Sequence, residues 1–189
     1  MLELKKANVK EFKKNLYSQY MKLFPKNERK PLSMLKECYV KKILTILEII
    51  DNNQIVGFMM LNKLPKSKYL QLDYFAIFPE FQSKGYGSKA LKKLQEISEK
   101  YNGIYIEAEK PDKIDEENNI KNKRIKFYER LGCYKLNLSL ELYNVIYTIL
   151  ILPTSDKREN DDKIMKDIFD IYNKVSGKKS IKKYCKIIK

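Results

Sequence analysis

The stretch FPEFQSKGYGSKAL, Phe78–Leu91, limits the fold more than any other part of the chain. An apolar run, YLQLDYFAIF, leads into Pro79, and two of only six glycines, Gly85 and Gly87, follow. Apolar residues at Ala90, Leu91, Leu94, Ile97 and Tyr101 then recur at helical spacing, predicting a helix over Gly87–Lys100. A strand, a tight turn and a helix N-terminus make an anion site, because the first N–H groups of a helix lack internal partners and its dipole adds positive charge. Glycine lets the backbone approach a phosphate where a Cβ would block it. Lys84 and Lys89 add attraction. The plainer alternative is a turn that only needs positive φ.

The rest of the chain surrounds this stretch with strands and short helices. Phe12, Leu16, Tyr20 and Leu23 predict a helix over Val9–Leu23, ended by Pro25 and Pro31 in FPKNERKP, and a second helix covers Leu32–Lys41. ILTILEII and IVGFMMLNKL flank the turn DNNQ and predict a strand hairpin. YLQLDYFAIF is a third strand and GIYIEAE a fourth. The polar segment KPDKIDEENNIKNK predicts a loop, followed by a short helix, RIKFYERLG, with Gly132 as its C-terminal cap. Strands over Tyr134–Leu142 and Val145–Leu152 follow. Ile164, Ile168, Ile171 and Val175 mark a last helix before the lysine-rich tail SGKKSIKKYCKIIK, expected as a solvated end with one apolar stripe packed down; the alternative is a nucleic-acid or membrane contact, since Lys is interleaved with Ile and Tyr. The chain length suits one domain with a single core. The expected organisation is a domain over residues 1–152 and a C-terminal helix with basic tail over 153–189, packed on it.

Composition removes whole classes of chemistry. The chain has no histidine, which excludes Ser-His-Asp and Cys-His nucleophiles. Cys38, Cys133 and Cys185 are scattered, so no metal site and no disulfide framework is expected. Cys133 reads as a packing residue. A reducing cytoplasm is the expected location, because the N-terminus has no apolar signal core and VIYTILIL is too short to cross a bilayer. The net charge of +15 is compatible with an anionic ligand. Neither nucleic acid nor a membrane is expected as partner.

Gly85-Tyr86-Gly87-Ser88-Lys89-Ala90 also fits G-x-G-x-x-A, with Glu107 about twenty residues on, as a dinucleotide fold requires. That fold places its first glycine directly after the strand, whereas PEFQSK intervenes here. The closer match is to a family. FQSKGYGSKAL resembles the acetyl-CoA loop of the GCN5-related N-acetyltransferases, Gln/Arg-x-x-Gly-x-Gly/Ala, with Gln82, Gly85 and Gly87 in those positions. RIKFYERLGC resembles the family's second signature, and the order of elements over Leu2–Leu152 matches as well. The resemblance implies an α/β (α+β) fold with a mixed, mainly antiparallel central sheet and helices on both faces. It implies transfer of an acetyl group from acetyl-CoA (coenzyme A) directly to a primary amine of a small molecule or peptide. The alternative is a non-catalytic protein that binds acyl-CoA or nucleic acid.

Residue by residue, the resemblance implies that the N–H groups of Gln82, Ser83, Lys84, Gly85, Tyr86, Gly87 and Ser88 cradle the pyrophosphate. The backbone of Phe75, Ala76 and Ile77 would take the pantetheine arm, and Tyr128 would return a proton to the leaving thiolate. Two positions depart from the pattern: Lys121 stands where many members have Asn, and Asp73 stands where a subgroup has Glu. Amine transfer needs the neutral amine, which for a lysine-like group of pKa about 10.4 costs roughly 4.6 kcal/mol at neutral pH. A nearby carboxylate can accept that proton. Asp73 and Glu107 are the candidates, with Glu109 behind them.

Overall fold

The computed structural model describes residues 1–111 and 120–188. Its strands are β1 (Glu3–Ala7), β2 (Leu44–Asp51), β3 (Gln54–Asn62), β4 (Tyr69–Ile77), β5 (Gly103–Glu109), β6 (Tyr134–Leu142), β7 (Val145–Pro153) and β8 (Cys185–Ile188). They form one sheet in the order β1-β2-β3-β4-β5-β7-β6-β8. The β4–β5 pair is parallel, while β1–β2, β2–β3, β5–β7, β6–β7 and β6–β8 are antiparallel. The fold class expected from the sequence, a mixed and mainly antiparallel sheet with helices, is the one observed. The chain divides into two compact units, residues 1–64 with 72–94 and residues 65–71 with 95–189.

In the first unit, α1 (Val9–Glu11), a π-helical turn (Phe12–Leu16) and α2 (Tyr17–Leu23) run as one helical stretch. Asn8 caps it by accepting from Lys10 and Glu11 N–H, and Glu11 answers with a bond to Asn8 N–H, a reciprocal box that satisfies orphan donors. Phe12, Leu16 and Tyr20 are fully buried. Phe12, Tyr20, Phe24, Phe58 and Tyr74 form a cluster of mostly edge-to-face rings, with Phe24 and Tyr74 4.9 Å apart. Two hydroxyls of that cluster pin the loop after α2. Tyr74 donates to Glu28 C=O at 2.6 Å, and Lys30 N–H donates to Tyr20 Oη at 2.7 Å. Then come α3 (Leu32–Val40) and the β2–β3 hairpin, whose turn residues Asn52 and Asn53 both take positive φ, the mirror-image turn that suits strand twist. Val56–Asn62 are buried without a break, so both sheet faces are covered there.

Gly57 sets how closely β3 and β4 approach. A Cβ on it would lie 2.3 Å from the Ala76 carbonyl oxygen, which is backbone and cannot swing aside. Phe78 N–H then donates to Val56 C=O at 2.9 Å, fixing where β4 ends. Gly57→Ala is expected to destabilise the protein by about 1–3 kcal/mol, the usual cost of overpacking. Chemical denaturation checks this, and an unchanged midpoint would contradict it.

In the second unit, Asp167 orders the start of β4 by accepting from Ser67 Oγ, Lys68 N–H and Tyr69 N–H at 2.7–3.0 Å. It sits on α6 (Asp161–Tyr172), which continues through a π-helical turn (Asn173–Gly177) into α7 (Lys178–Tyr184). Helix α5 (Ile120–Glu129) ends in a cap in which Gly132 takes φ +88° and Cys133 N–H donates to Tyr128 C=O, closing the expected glycine stop.

Four elements differ from the sequence reading. Strand β1 was not expected, because ELKKA is short, lysine-bearing and mostly exposed, as edge strands often are. The helix after the glycines, α4 (Tyr86–Glu96), stops before Lys100, and Ile97 is 54% exposed. Helix α5 begins ahead of Arg124, and the rest of the loop expected over Lys110–Lys123 lies largely outside the described residues. The tail packs Ile181 down and leaves its described lysines exposed, as expected, but it ends in a strand, β8, that pairs with β6 and was not expected. Among the described residues no helix is long and apolar enough to cross a membrane.

Candidate functional site

Strand β4 carries the first part of the site. Its ladder with β5 covers three residues of each strand, Tyr69–Gln71 against Gly103–Tyr105. Beyond that ladder β4 continues to Ile77, with Phe75, Ala76 and Ile77 only half-buried. A 3-10 turn, Pro79–Phe81, follows, and Gln82 folds back so that its Nε2 donates to Ile77 C=O at 2.9 Å. The loop is therefore tied to the end of the strand that precedes it.

The two glycines do different jobs. Gly85 takes φ +80°, and a Cβ there would meet nothing, so its requirement is conformational. Its C=O accepts the first helical bond, from Lys89 N–H at 3.1 Å. Gly87 lies in the first turn of α4 without positive φ, so its N–H and that of Ser88 precede the first internal bond of the helix. Ser83 also takes positive φ, +61°, a conformation that costs an L-residue roughly 1–2 kcal/mol. Nothing local signals this, since serine is not a left-handed specialist.

The chemistry around these N–H groups suits an anion. The first turn of α4 contains no acidic residue. Lys84 Nζ donates to Glu80 C=O at 2.9 Å, and Lys89 Nζ lies 5.9 Å from the Tyr86 ring centre. Tyr86 Oη donates to Asp51 Oδ2 at 3.1 Å, anchoring the helix start to β2. A phosphate held here would meet main-chain donors, open space at Gly85 and the ammonium groups of Lys84 and Lys89.

The carboxylates are held differently. Asp73 is bound through both oxygens by Lys30 Nζ, with the Asp73 side chain 8% exposed. Lys30 was missed in the sequence, where NERKP reads only as a helix breaker; the Tyr20 and Tyr74 contacts that aim it are tertiary. Glu107 accepts from Gln71 Nε2 at 3.1 Å, and Gln71 is itself buried. Glu109 pairs with Lys121 at 2.7 Å, which gives a structural use for the lysine at the position where the resembled pattern often has Asn. Asp73, Phe75–Ile77 and the loop belong to the first unit, and Glu107 and Tyr128 to the second.

Tyr128 lies on α5 and is 7% exposed, with the Phe127 ring edge-on at 5.2 Å. Burial pushes its hydroxyl up to about 12, against a smaller opposite effect of the Arg124 charge. The group is a protonated donor at neutral pH. Cys133 is buried and its thiol is likewise pushed up to about 12, mainly by desolvation, so it carries no thiolate at neutral pH.

Residues 13–133 match the model of the acetyltransferase (GNAT) family. No curated protein sequence matches the chain. Among solved structures, a protein from Bacteroides thetaiotaomicron described as a GNAT-family acetyltransferase superposes with a TM-score of 0.70 at 18% identity, covering 93% of this chain and 98% of that one. The ribosomal-protein-S18-alanine N-acetyltransferase of Escherichia coli gives 0.59 at 17%, covering 85% and 98%. An aminoglycoside 6'-N-acetyltransferase complexed with coenzyme A gives 0.58 at 11%, covering 84% and 99%. At these identities the likeness is one of fold.

Proposed function

Because the chain belongs to the GNAT acetyltransferase family, we propose that it is an N-acetyltransferase moving an acetyl group from acetyl-CoA to a primary amine by direct transfer. The observation that carries this reading is the loop. Gln82 is tied back to β4, Gly85 is left-handed, and an acid-free helix start presents the N–H groups of Gly87 and Ser88. A structure of similar fold holds coenzyme A, and others are named for ribosomal-protein acceptors.

The N–H groups of Gln82–Ser88 hold the pyrophosphate of the cofactor, with Lys84 and Lys89 adding attraction. The half-buried backbone of Phe75, Ala76 and Ile77 holds the pantetheine arm. Acetyl-CoA, when bound, supplies the activated acetyl thioester. Glu107 takes the proton of the incoming ammonium, directly or through water. Asp73 is the second candidate, but Lys30 already holds both its oxygens, so an amine must displace that lysine to use them. Tyr128 keeps its proton at neutral pH and donates it towards the leaving sulfur. The family match supports these assignments, and the acceptor is a primary amine of a small molecule or a peptide.

Acetyl-CoA is expected to raise the melting temperature and NAD to leave it unchanged. At about 100 times the dissociation constant the stabilisation is roughly 2.7 kcal/mol. Thermal shift reads this directly. A shift with NAD and none with acetyl-CoA would replace this reading with the dinucleotide one.

A further inference from the structure

The tail of the chain builds a surface that acetyl transfer does not need. Strands β6 and β7 are joined by a two-residue turn, Tyr143–Asn144, with φ of 50° and 66°. Such turns favour Asn-Gly, and a bulky residue at positive φ is a conformational outlier. Tyr143 nevertheless stands there and is 50% exposed. Three contacts fix it against α7. Its N–H donates to Tyr184 C=O at 2.9 Å, its hydroxyl pairs with Ser180 Oγ at 2.7 Å, and its ring stacks on that of Tyr184 at 5.1 Å and 28°. Tyr184 is 40% exposed. Folding therefore keeps two stacked tyrosines partly exposed at the surface rather than burying them.

The surroundings are cationic. Lys178, Lys179, Lys182, Lys183 and Lys186 are all exposed, and none forms an ion pair among the described residues. Lys183 Nζ lies 4.9 Å from the Tyr184 ring centre. One acid, Glu141, stands opposite Lys186 in the β6–β8 register and offsets part of this charge. Exposed rings among unpaired lysines combine the two elements that bind single-stranded nucleic acid: faces on which bases stack and charges that follow the phosphates. We propose that the Tyr143–Tyr184 stack and its lysines bind single-stranded nucleic acid, independently of the acetyltransferase reading. Strand β8 and the Tyr143 contacts bring together residues far apart in the chain, which favours the nucleic-acid alternative for the tail over a merely solvated end.

The test is fluorescence anisotropy of a labelled oligouridylate with the full chain, between about 50 and 200 mM KCl. Saturable binding that weakens with salt is expected. Tyr143→Ala with Tyr184→Ala should weaken it about 5- to 150-fold per stacked base. Tyr143→Phe with Tyr184→Phe keeps both rings and should retain most of the affinity, with melting temperatures confirming that all variants are folded. Lys179→Glu with Lys183→Glu should flatten the log–log salt slope by at least about 1.4, at about 0.7 per lost phosphate contact. Three results would overturn the proposal. These are no binding at the lowest salt, affinity indifferent to loss of both rings, which would mean plain polyanion attraction, and binding to phosphatidylserine vesicles without binding to the oligonucleotide.

Discussion

Gly87→Glu abolishes coenzyme A binding and leaves the fold at least as stable as the parent. These opposite effects come from one position. Gly87 lies in the first turn of α4 without positive φ, so a side chain needs no unusual backbone there. Glycine within a helix is worse than other residues by up to about 1 kcal/mol, and a carboxylate near a helix N-terminus contributes about 0.3–1 kcal/mol. For cofactor binding the same carboxylate is harmful, because it fills the space over the N–H groups and sets a negative charge beside the pyrophosphate. Losing two charge-assisted hydrogen bonds costs roughly 3–6 kcal/mol, or about two to four powers of ten in affinity. Gly87→Ala is the control, with affinity close to the parent. Calorimetry with coenzyme A and a melting curve for each variant decide it. A folded Gly87→Glu protein that binds like the parent would refute the role given to the loop.

Tyr128→Phe keeps acetyl-CoA affinity and lowers turnover by about 10- to 1000-fold, the range for general acid catalysis. The side chain is 7% exposed, and phenylalanine preserves its packing, so stability should change little. The hydroxyl is pushed up to about 12 by burial. It therefore stays protonated below that value, and the parent's rate profile should show no limb from Tyr128 at neutral or mildly alkaline pH. Glu107→Gln should behave in the other way, losing most activity at neutral pH and recovering as pH rises and free amine appears. Unchanged turnover in Tyr128→Phe would make the tyrosine a packing residue.

What the sequence revealed was what local rules decide. The hairpin turn at Asn52–Asn53, the stop at Gly132 and the left-handed Gly85 each follow from which residues tolerate positive φ. The strands Leu44–Asp51, Gln54–Asn62 and Gly103–Glu109 were legible as runs of buried β-branched and aliphatic residues. The parts that were not legible depend on partners distant in the chain. Lys30 meets Asp73 only because Tyr20 and Tyr74 pin its loop. Strand β8 exists only because β6 offers an edge for its four residues. Strain at Ser83 has no local signature, because the turn, not the serine, requires it. For Gly87 the sequence leaves two readings open, close approach to a phosphate or a turn that needs positive φ, and its place inside α4 without positive φ removes the second.

Transfer itself is the most direct measurement. The protein is incubated with acetyl-CoA and a panel of primary amines: a polyamine, free amino acids, an aminoglycoside and peptides with free N-termini. Thiol release is followed alongside the mass of each amine. At least one amine is expected to drive thiol release in proportion to enzyme, with one acetylated amine formed per thiol, and Gly87→Glu is expected to lose both signals. Tight coenzyme A binding with no amine-dependent thiol release from any member of the panel would contradict it and leave a protein that holds the cofactor without using it.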